Sequence, residues 1–456
     1  MSDFRFISDK KNARYKSSDM QPFRAPDVDS LITNDGKLLA EMISEFIKVR
    51  VPRYDRLDDY YMAENTEIYS KGDRSTRFDD AGIADHKISH SWGEFITSFQ
   101  TSFIAGKPIT YDGADEALSD IMQAFNTKND IDMHNMEVFT EASIYGEGNE
   151  LIYTTVDEAT ETEVDRVIVL PRMNSFLIYD MTLENKELAG VYFITQKIGN
   201  ETQTSVTLYT DHEVYESSSV NLVSKKILFL DAKWHPYGEV PMISYKNNKH
   251  KIGDYERQIP LIDAYDAAVS DTTNYMTDLT DAILTISGDI NPKISDQMVD
   301  TLKKARILLL GDLGTGDAVP TKAEYLYKQY DVTGVEAHKS RLENDIHKLS
   351  YTPNFNDEKF GGNLSGEALK YKLVGLDQVR AIKEAYYSKG LAKRYRLLAN
   401  ANKLAGVSEK LTFQFHPNLP QPVLDELKTY TDAGGRLSDM TMLSVLSFID
   451  NPQDEL

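Results

Sequence analysis

The chain opens polar, is broken by Pro22 and Pro26, and over residues 1–36 reads as a flexible arm. Apolar positions then fall into helical steps. Leu38, Met42, Phe46 and Val49 predict a helix over 37–64, broken or kinked at Pro52. Residues 87–105 (KISHSWGEFITSFQTSFIA) predict a second helix with a broad apolar face, stopped by Gly106 and followed by Pro108. Two more helices are expected over 115–126 and 131–145. After that the pattern changes. ELIYTTV, RVIVLP, SFLIYD, GVYFITQ, SVTLYT and KILFLD are short, rich in β-branched and aromatic residues, and parted by polar turns. Residues 149–247 therefore read as mostly antiparallel strand.

Helical spacing returns at 254. Ile262, Tyr265, Val269, Met276, Leu279 and Ile283 step by three and four, with Thr272 filling one slot. That predicts a long helix with one narrow packing seam. A small α/β insertion follows: a strand near 283–287, a helix near 295–305, the strand RILLLGD, a Gly-rich turn and the strand EYLYKQY. Val335, Leu342, Ile346 and Leu349 predict a helix over 335–350. A further helical pattern runs from 366 to 404, roughly 60 Å at about 1.5 Å per residue, with Gly375 and Gly390 as candidate bends. Pro417, Pro420 and Pro422 mark a boundary before a small helical tail. The fold class is α+β, and 456 residues suggest roughly two to four domains.

Composition narrows the classes. No apolar run approaches the roughly 18 residues of a membrane helix, and no signal peptide is expected at the N-terminus. The absence of cysteine excludes disulfides, thiolate chemistry and cysteine-based zinc sites. A net charge of −22 is the reverse of a protein that clamps DNA phosphates all over its surface. It fits either plain solubility or a surface that stays near a polyanion without sticking to it.

The stretch NFNDEKFGGNLSGEALK, residues 354–370, has the outline of a phosphate loop. A Walker loop needs a preceding strand and a Gly-Lys-Ser/Thr ending, yet a helix precedes it and Glu367 follows Gly366. Ser365 instead suits a helix N-cap, Glu367 the first turn, and Leu364 with Leu369 a hydrophobic staple. The preceding run, 352–363, is a flexible loop with that one end fixed. His86 and His90 stand at a spacing that can bind metal on a helix, but without a Glu partner or an evident third ligand. No Gly-x-Ser-x-Gly elbow is present. From Gln258 to Pro292 six aspartates occur with no lysine or arginine: Asp263, Asp266, Asp271, Asp278, Asp281 and Asp289. This is either a solvated face or a deliberately negative surface. Asp263, Asp266 and Asp271 can also be arranged as a metal site of a nucleic-acid enzyme.

The order of several segments carries a family resemblance. GKPITYDG ends a helix, EVFTEASIYGEGNELIYT runs into strands, and HPYGEVPMISYKNN precedes LIDAYDAAVSDTTNYMTDLTDAILTISG. KFGGNLSGEALKYK and NLPQPVLDELKTY follow, then GRLSDMTMLS. Over roughly residues 37–450 the chain resembles the portal proteins of tailed bacteriophages, of the type common in long-tailed phages of Gram-positive hosts.

That resemblance implies mechanics rather than catalysis, with no cofactor and no metal. It implies a ring, usually a dodecamer, at one capsid vertex of the virion, made in the host cytoplasm. Double-stranded DNA passes through its channel, driven in by the terminase and later released. Head-completion or adaptor proteins, the major capsid protein and scaffolding protein are the implied partners, and no membrane. Mapped onto this chain, the wing is 37–253, a stem helix 254–282, an α/β clip 283–334, a second stem helix 335–350 and a tunnel loop 351–364. A long wing helix with its following strand takes 365–415, and a small helical crown 416–456. The tunnel loop supplies candidate DNA contacts at Asn356, Asp357, Glu358, Lys359, Phe360, Gly361, Gly362 and Asn363. Asp263, Asp266, Asp271, Asp278 and Asp281 are candidates for an acidic channel lining, and Lys339, Arg341 and Lys348 for weak basic contacts.

Overall fold

The computed structural model describes residues 15–71, 84–156, 161–198, 201–279, 283–288, 302, 307–311, 322–326, 331–354, 373–404, 406–418 and 443. Strand β1 (Phe23–Arg24) comes first, then helices α1 (Asp29–Val49), α2 (Val51–Tyr61), α3 (Thr66–Ser70) and α4 (Trp92–Ala105). Strand β2 (Thr110–Asp112) leads to α5 (Glu116–Lys128) and α6 (Ile131–Tyr145). The strand-rich part holds β3 (Glu147–Val156), β4 (Glu163–Leu170), β5 (Ser175–Tyr179), β6 (Glu187–Ile198) and β7 (Glu201–Tyr209). It continues with β8 (Glu213–Asn221), β9 (Lys226–Phe229), β10 (Lys233–Trp234) and β11 (Met242–Lys246). Then come α7 (Ile259–Leu279), β12 (Ile283–Gly288), β13 (Ile307–Gly311), β14 (Lys322–Leu326), α8 (Val332–Ser350), α9 (Val374–Ala401) and β15 (Thr412–Gln414).

The chain divides into two compact units. One takes Met1–Met62, Trp92–Arg257 and His347–Leu456; the other takes Ala63–Ser91 and Gln258–Ile346. In the first unit the strands form a sheet of order β1-β5-β6-β7-β8-β10, with β9 also on β8, and a second sheet of order β11-β3-β4. The pairing is antiparallel as expected, except that β1 runs parallel to β5. Thus residues 15–36 are not the loose arm expected. Met20, Phe23 and Ala25 are buried, and the Phe23 ring lies 4.8 Å from that of Phe176. The first helix begins at Asp29, but its backbone leaves helical geometry at Thr33–Gly36, so the regular part starts where the apolar pattern does. Pro52 opens α2 rather than ending a helix, because a first-turn N–H has no intrahelical acceptor to lose. Strand β8 escaped prediction. Its EVYESSSVN lacks an apolar alternation, and pairing on both sides builds it.

The first unit packs charges inside. Arg394 and Glu150 are both fully buried, with Arg394 Nε 2.9 Å from Glu150 Oε1. His134 and the Tyr245 hydroxyl complete the carboxylate, at 2.9 and 2.8 Å. Burial by itself raises this carboxyl; Arg394 and His134 outweigh it and hold it down at about 2. Gly390 serves close approach here, whatever its effect on the helix axis. A Cβ on it would stand 2.3 Å from the Tyr245 ring. The Tyr387 ring stacks on Phe139 at 4.0 Å and 9°.

In the second unit β12 is the middle of a sheet of order β13-β12-β14, parallel to β13 and antiparallel to β14. A parallel neighbour needs a crossover. The helix expected over 295–305 lies outside the described residues, save that Leu302 is helical. The narrow apolar seam of α7 is not what the helix buries. Ile262 is buried, but so are Asp266, Ser270, Thr272 and Asn274, while Met276 is 44% exposed. Of the α8 seam, Leu342 and Ile346 are buried and Leu349 is exposed.

Candidate nucleic-acid interface

The buried polar face of α7 is explained by residues 84–91. Residues 87–91 were expected in a helix; residues 84–91 form neither helix nor strand, and the helix starts only at Trp92. Asp266, Ser270 and Asn274 are four residues apart, one line along the helix. They bond to His90, Ile88 and His86, two residues apart. Asn274 Oδ1 accepts from the His86 N–H at 2.5 Å and its Nδ2 donates back to the His86 carbonyl at 3.2 Å. Ser270 Oγ accepts from the Ile88 N–H at 2.9 Å. His90 Nδ1 lies 2.7 Å from Asp266 Oδ1, and Asn65 Nδ2 donates to Asp266 Oδ2. Four helical residues rise about 6 Å and two extended residues about 6.6 Å, so the two repeats stay in step. An extended strap that finds helix side chains for its N–H groups has no need to form a helix of its own.

This ladder sorts the acidic candidates. Asp266 is fully buried and engaged, so it lines no free surface; that expectation is corrected. Asp271 points about 140° away around the helix and is exposed. Asp263 is half-buried. Asp278 lies on the last turn of α7, its side chain outside the description, and Asp281 and Asp289 are outside the described residues. The three aspartates therefore do not converge as a metal site would need. Among the described residues no group of three or more His, Asp or Glu is placed to hold a metal ion. Nor do the two histidines share a helix face. His86 Nε2 lies 3.1 Å from the Thr277 hydroxyl, while His90 meets Asp266.

On α8, Lys339 is half-buried with Glu336 at 2.5 Å, and exposed Arg341 takes Asp345 at 2.8 Å. Lys348 is exposed. Tyr265 on α7 has its phenol pushed up by burial first and by the Glu343 carboxylate of α8 second. Two of the three basic candidates are thus neutralised by acids one helical turn away, which weakens rather than strengthens their pull on a phosphate.

The loop candidates from Asn356 to Asn363 lie outside the described residues, as do Leu364, Ser365 and Leu369. What the structure does show is how the flanking chain is held. Helix α8 ends with Tyr351 in the left-handed region, φ 58°, and the Thr352 N–H returns to the His347 carbonyl at 3.1 Å. His347 Nδ1 lies 3.1 Å from the Thr352 carbonyl. Ser350 and Thr352 are buried. No local pattern marks this anchor. A tyrosine stands at a position that glycine usually fills, so the usual mark of a helix end is missing.

The family model described as "Phage portal protein, SPP1 Gp6-like" matches residues 43–456. The portal protein of Bacillus phage SPP1 is 22% identical over 377 residues, 78% of this chain and 72% of that protein. Among solved structures, the neck of an empty gene transfer agent particle, computed with C6 symmetry, aligns at a TM-score of 0.46 and 11% identity. It covers 82% of this chain and 92% of that one. The neck of the native particle, computed with C12 symmetry, aligns at 0.44 and 10% identity, covering 83% and 94%.

Proposed function

This chain belongs to the SPP1 Gp6-like phage portal protein family, a structural family of the virion and not one of enzymes, and on that premise we propose that it forms the ring through which phage DNA enters and leaves the capsid. In this reading twelve copies close around an axial channel. The terminase drives double-stranded DNA inward, a head-completion adaptor docks afterwards, and capsid and scaffolding proteins surround the ring. Family membership across almost the whole chain carries the proposal. The charge distribution supports it. A DNA channel works against friction, and every fixed lysine–phosphate contact releases counterions and strengthens sequence-independent binding. From Gln258 to Pro292 there is no basic residue, and Asp271 is exposed on α7.

The residues assigned to DNA contact are the segment Asn356–Asn363, with Lys359 its one cation, and Asp271 on the lining. Two measurements test this. Negative-stain images of the purified protein should show closed rings with an axial hole; a protein that stays monomeric at every concentration is not a portal. Rings carrying Gly361→Pro and Gly362→Pro should assemble yet package DNA at a rate at least about tenfold lower. Unimpaired packaging by those rings removes the loop from the mechanism.

A further inference from the structure

We infer that Gln100 is a positioning residue that fixes the two chain ends between which residues 355–372 run. The inference rests on the portal reading only for its consequence, not for its geometry. Gln100 lies on α4 and is 2% exposed. Its Nε2 donates to the Ser350 carbonyl at 3.0 Å, on the near side of the segment. Its Oε1 accepts from Lys383 Nζ at 3.4 Å, on the far side. A carbonyl only accepts and an ammonium only donates, so an amide in this one orientation is what can join them. Lys383 is itself pinned by Asp254, which also takes the Ser143 hydroxyl at 2.5 Å and Asn247 Nδ2 at 2.8 Å.

The rest of α4 grips the same two ends. Near the start of the helix, the Trp92 and Phe95 rings meet the His347 ring edge-on at 5.2 and 5.7 Å. One turn beyond Gln100, Phe103 packs with Leu373 and Leu376 at the start of α9. The ends also touch each other. A Cβ on Gly375 would stand 3.0 Å from the Tyr351 ring, so the glycine leaves room for the tyrosine that the left-handed backbone at 351 directs there. One helix therefore serves as the common base for both ends. Through Gln100, Ser350 and Lys383 are tied to α4 and so to each other. In a portal, that holds the two anchor points on either side of the segment at a fixed separation.

The natural chain has no cysteine, so labels can be placed singly. Leu349→Cys and Val374→Cys, both exposed positions, carry spin labels in rings diluted with unlabelled chains, and pulsed electron resonance reads the distance distribution. It should be narrow in the parent. Gln100→Glu keeps the size and the Lys383 contact but sets an acceptor against the Ser350 carbonyl; the distribution should broaden at least about twofold. Gly375→Val attacks the same clamp from the other side and should do likewise, so one variant that fails to fold does not end the test. An unchanged width in either folded variant overturns the clamp. Packaging by label-free rings is read separately. It should fall with the broadening, while helix content and ring assembly hold. Broadened rings that package normally overturn the role of Gln100 in DNA passage, with the clamp itself still measured.

Discussion

Single side chains in this protein are held by charge as much as by oil. Glu150 shows the arithmetic. Its carboxyl lies near 2 in the folded chain against roughly 4.3 for a free glutamate. A depressed acid stabilises the fold in full above the unfolded value and loses that contribution as pH falls through the folded one. Between about pH 4.3 and 2, therefore, this group drives acid unfolding. Arg394→Met strands the buried Glu150 with only His134 and Tyr245. Breaking a buried pair this way costs about 3–5 kcal/mol, to be read from denaturant midpoints; a cost below about 1 kcal/mol would show that the pair is expendable. Glu141 runs the other way. Burial pushes its carboxyl up to about 7, Arg172 opposing and Asp58 adding to the rise, and Oε2 is buried without a hydrogen-bond partner. A raised acid contributes stability in full below its unfolded value and loses it as pH rises through about 7. Glu141→Gln should flatten the stability profile between pH 5 and 8; an unaltered profile in calorimetric scans would place the titration elsewhere.

At the scale of elements, α7 is decided by its neighbour. A helix with an aspartate, a serine, a threonine and an asparagine on its buried side would be a poor packing element alone, since unpaired buried polar groups cost about 1–3 kcal/mol each. The 86–90 strap turns that side into a ladder. Asn274→Ala removes both bonds to His86, so the His86 amide should exchange with solvent about 10- to 100-fold faster, while amides within α6 keep their protection. Equal acceleration in both would mean general unfolding rather than a released strap. The ladder also assigns the remaining face of α7. With Asp266 committed inward, Asp271 is the exposed aspartate among the described residues of the helix.

For the whole molecule, the proposed channel makes the acidic balance testable against DNA. Asp271→Lys should leave ring assembly intact and make the rings hold non-specific duplex DNA more tightly at low salt. The slope of log affinity against log salt should steepen by about 0.9 for each added phosphate contact. Filter binding at two salt concentrations checks this, and a slope equal to the parent's would take Asp271 out of the channel wall. The same variant should slow packaging, because what binds the backbone also brakes it.

The bare chain is enough for the α+β class, the positions of α5, α6 and most strands, the two long helices on either side of a small sheet in chain order, and the portal family. These are matters of local period and of segment order, which a chain carries without its fold. It misled wherever a partner far along the chain decides. The KISHS run scores as helix by its own spacing, and only α7 offers the acceptors and donors that keep it extended. Residues 15–36 look loose until β5 supplies the edge for β1. Asp266 and Asp271 are chemically identical and five residues apart; one pairs inside and the other faces out, because helix geometry and the strap separate them. Gln100 bore no mark at all. Its role arises because Ser350 and Lys383, 250 and 283 residues further on, arrive on either side of one amide. Such convergence is a property of tertiary structure, since no local pattern records which distant groups will meet.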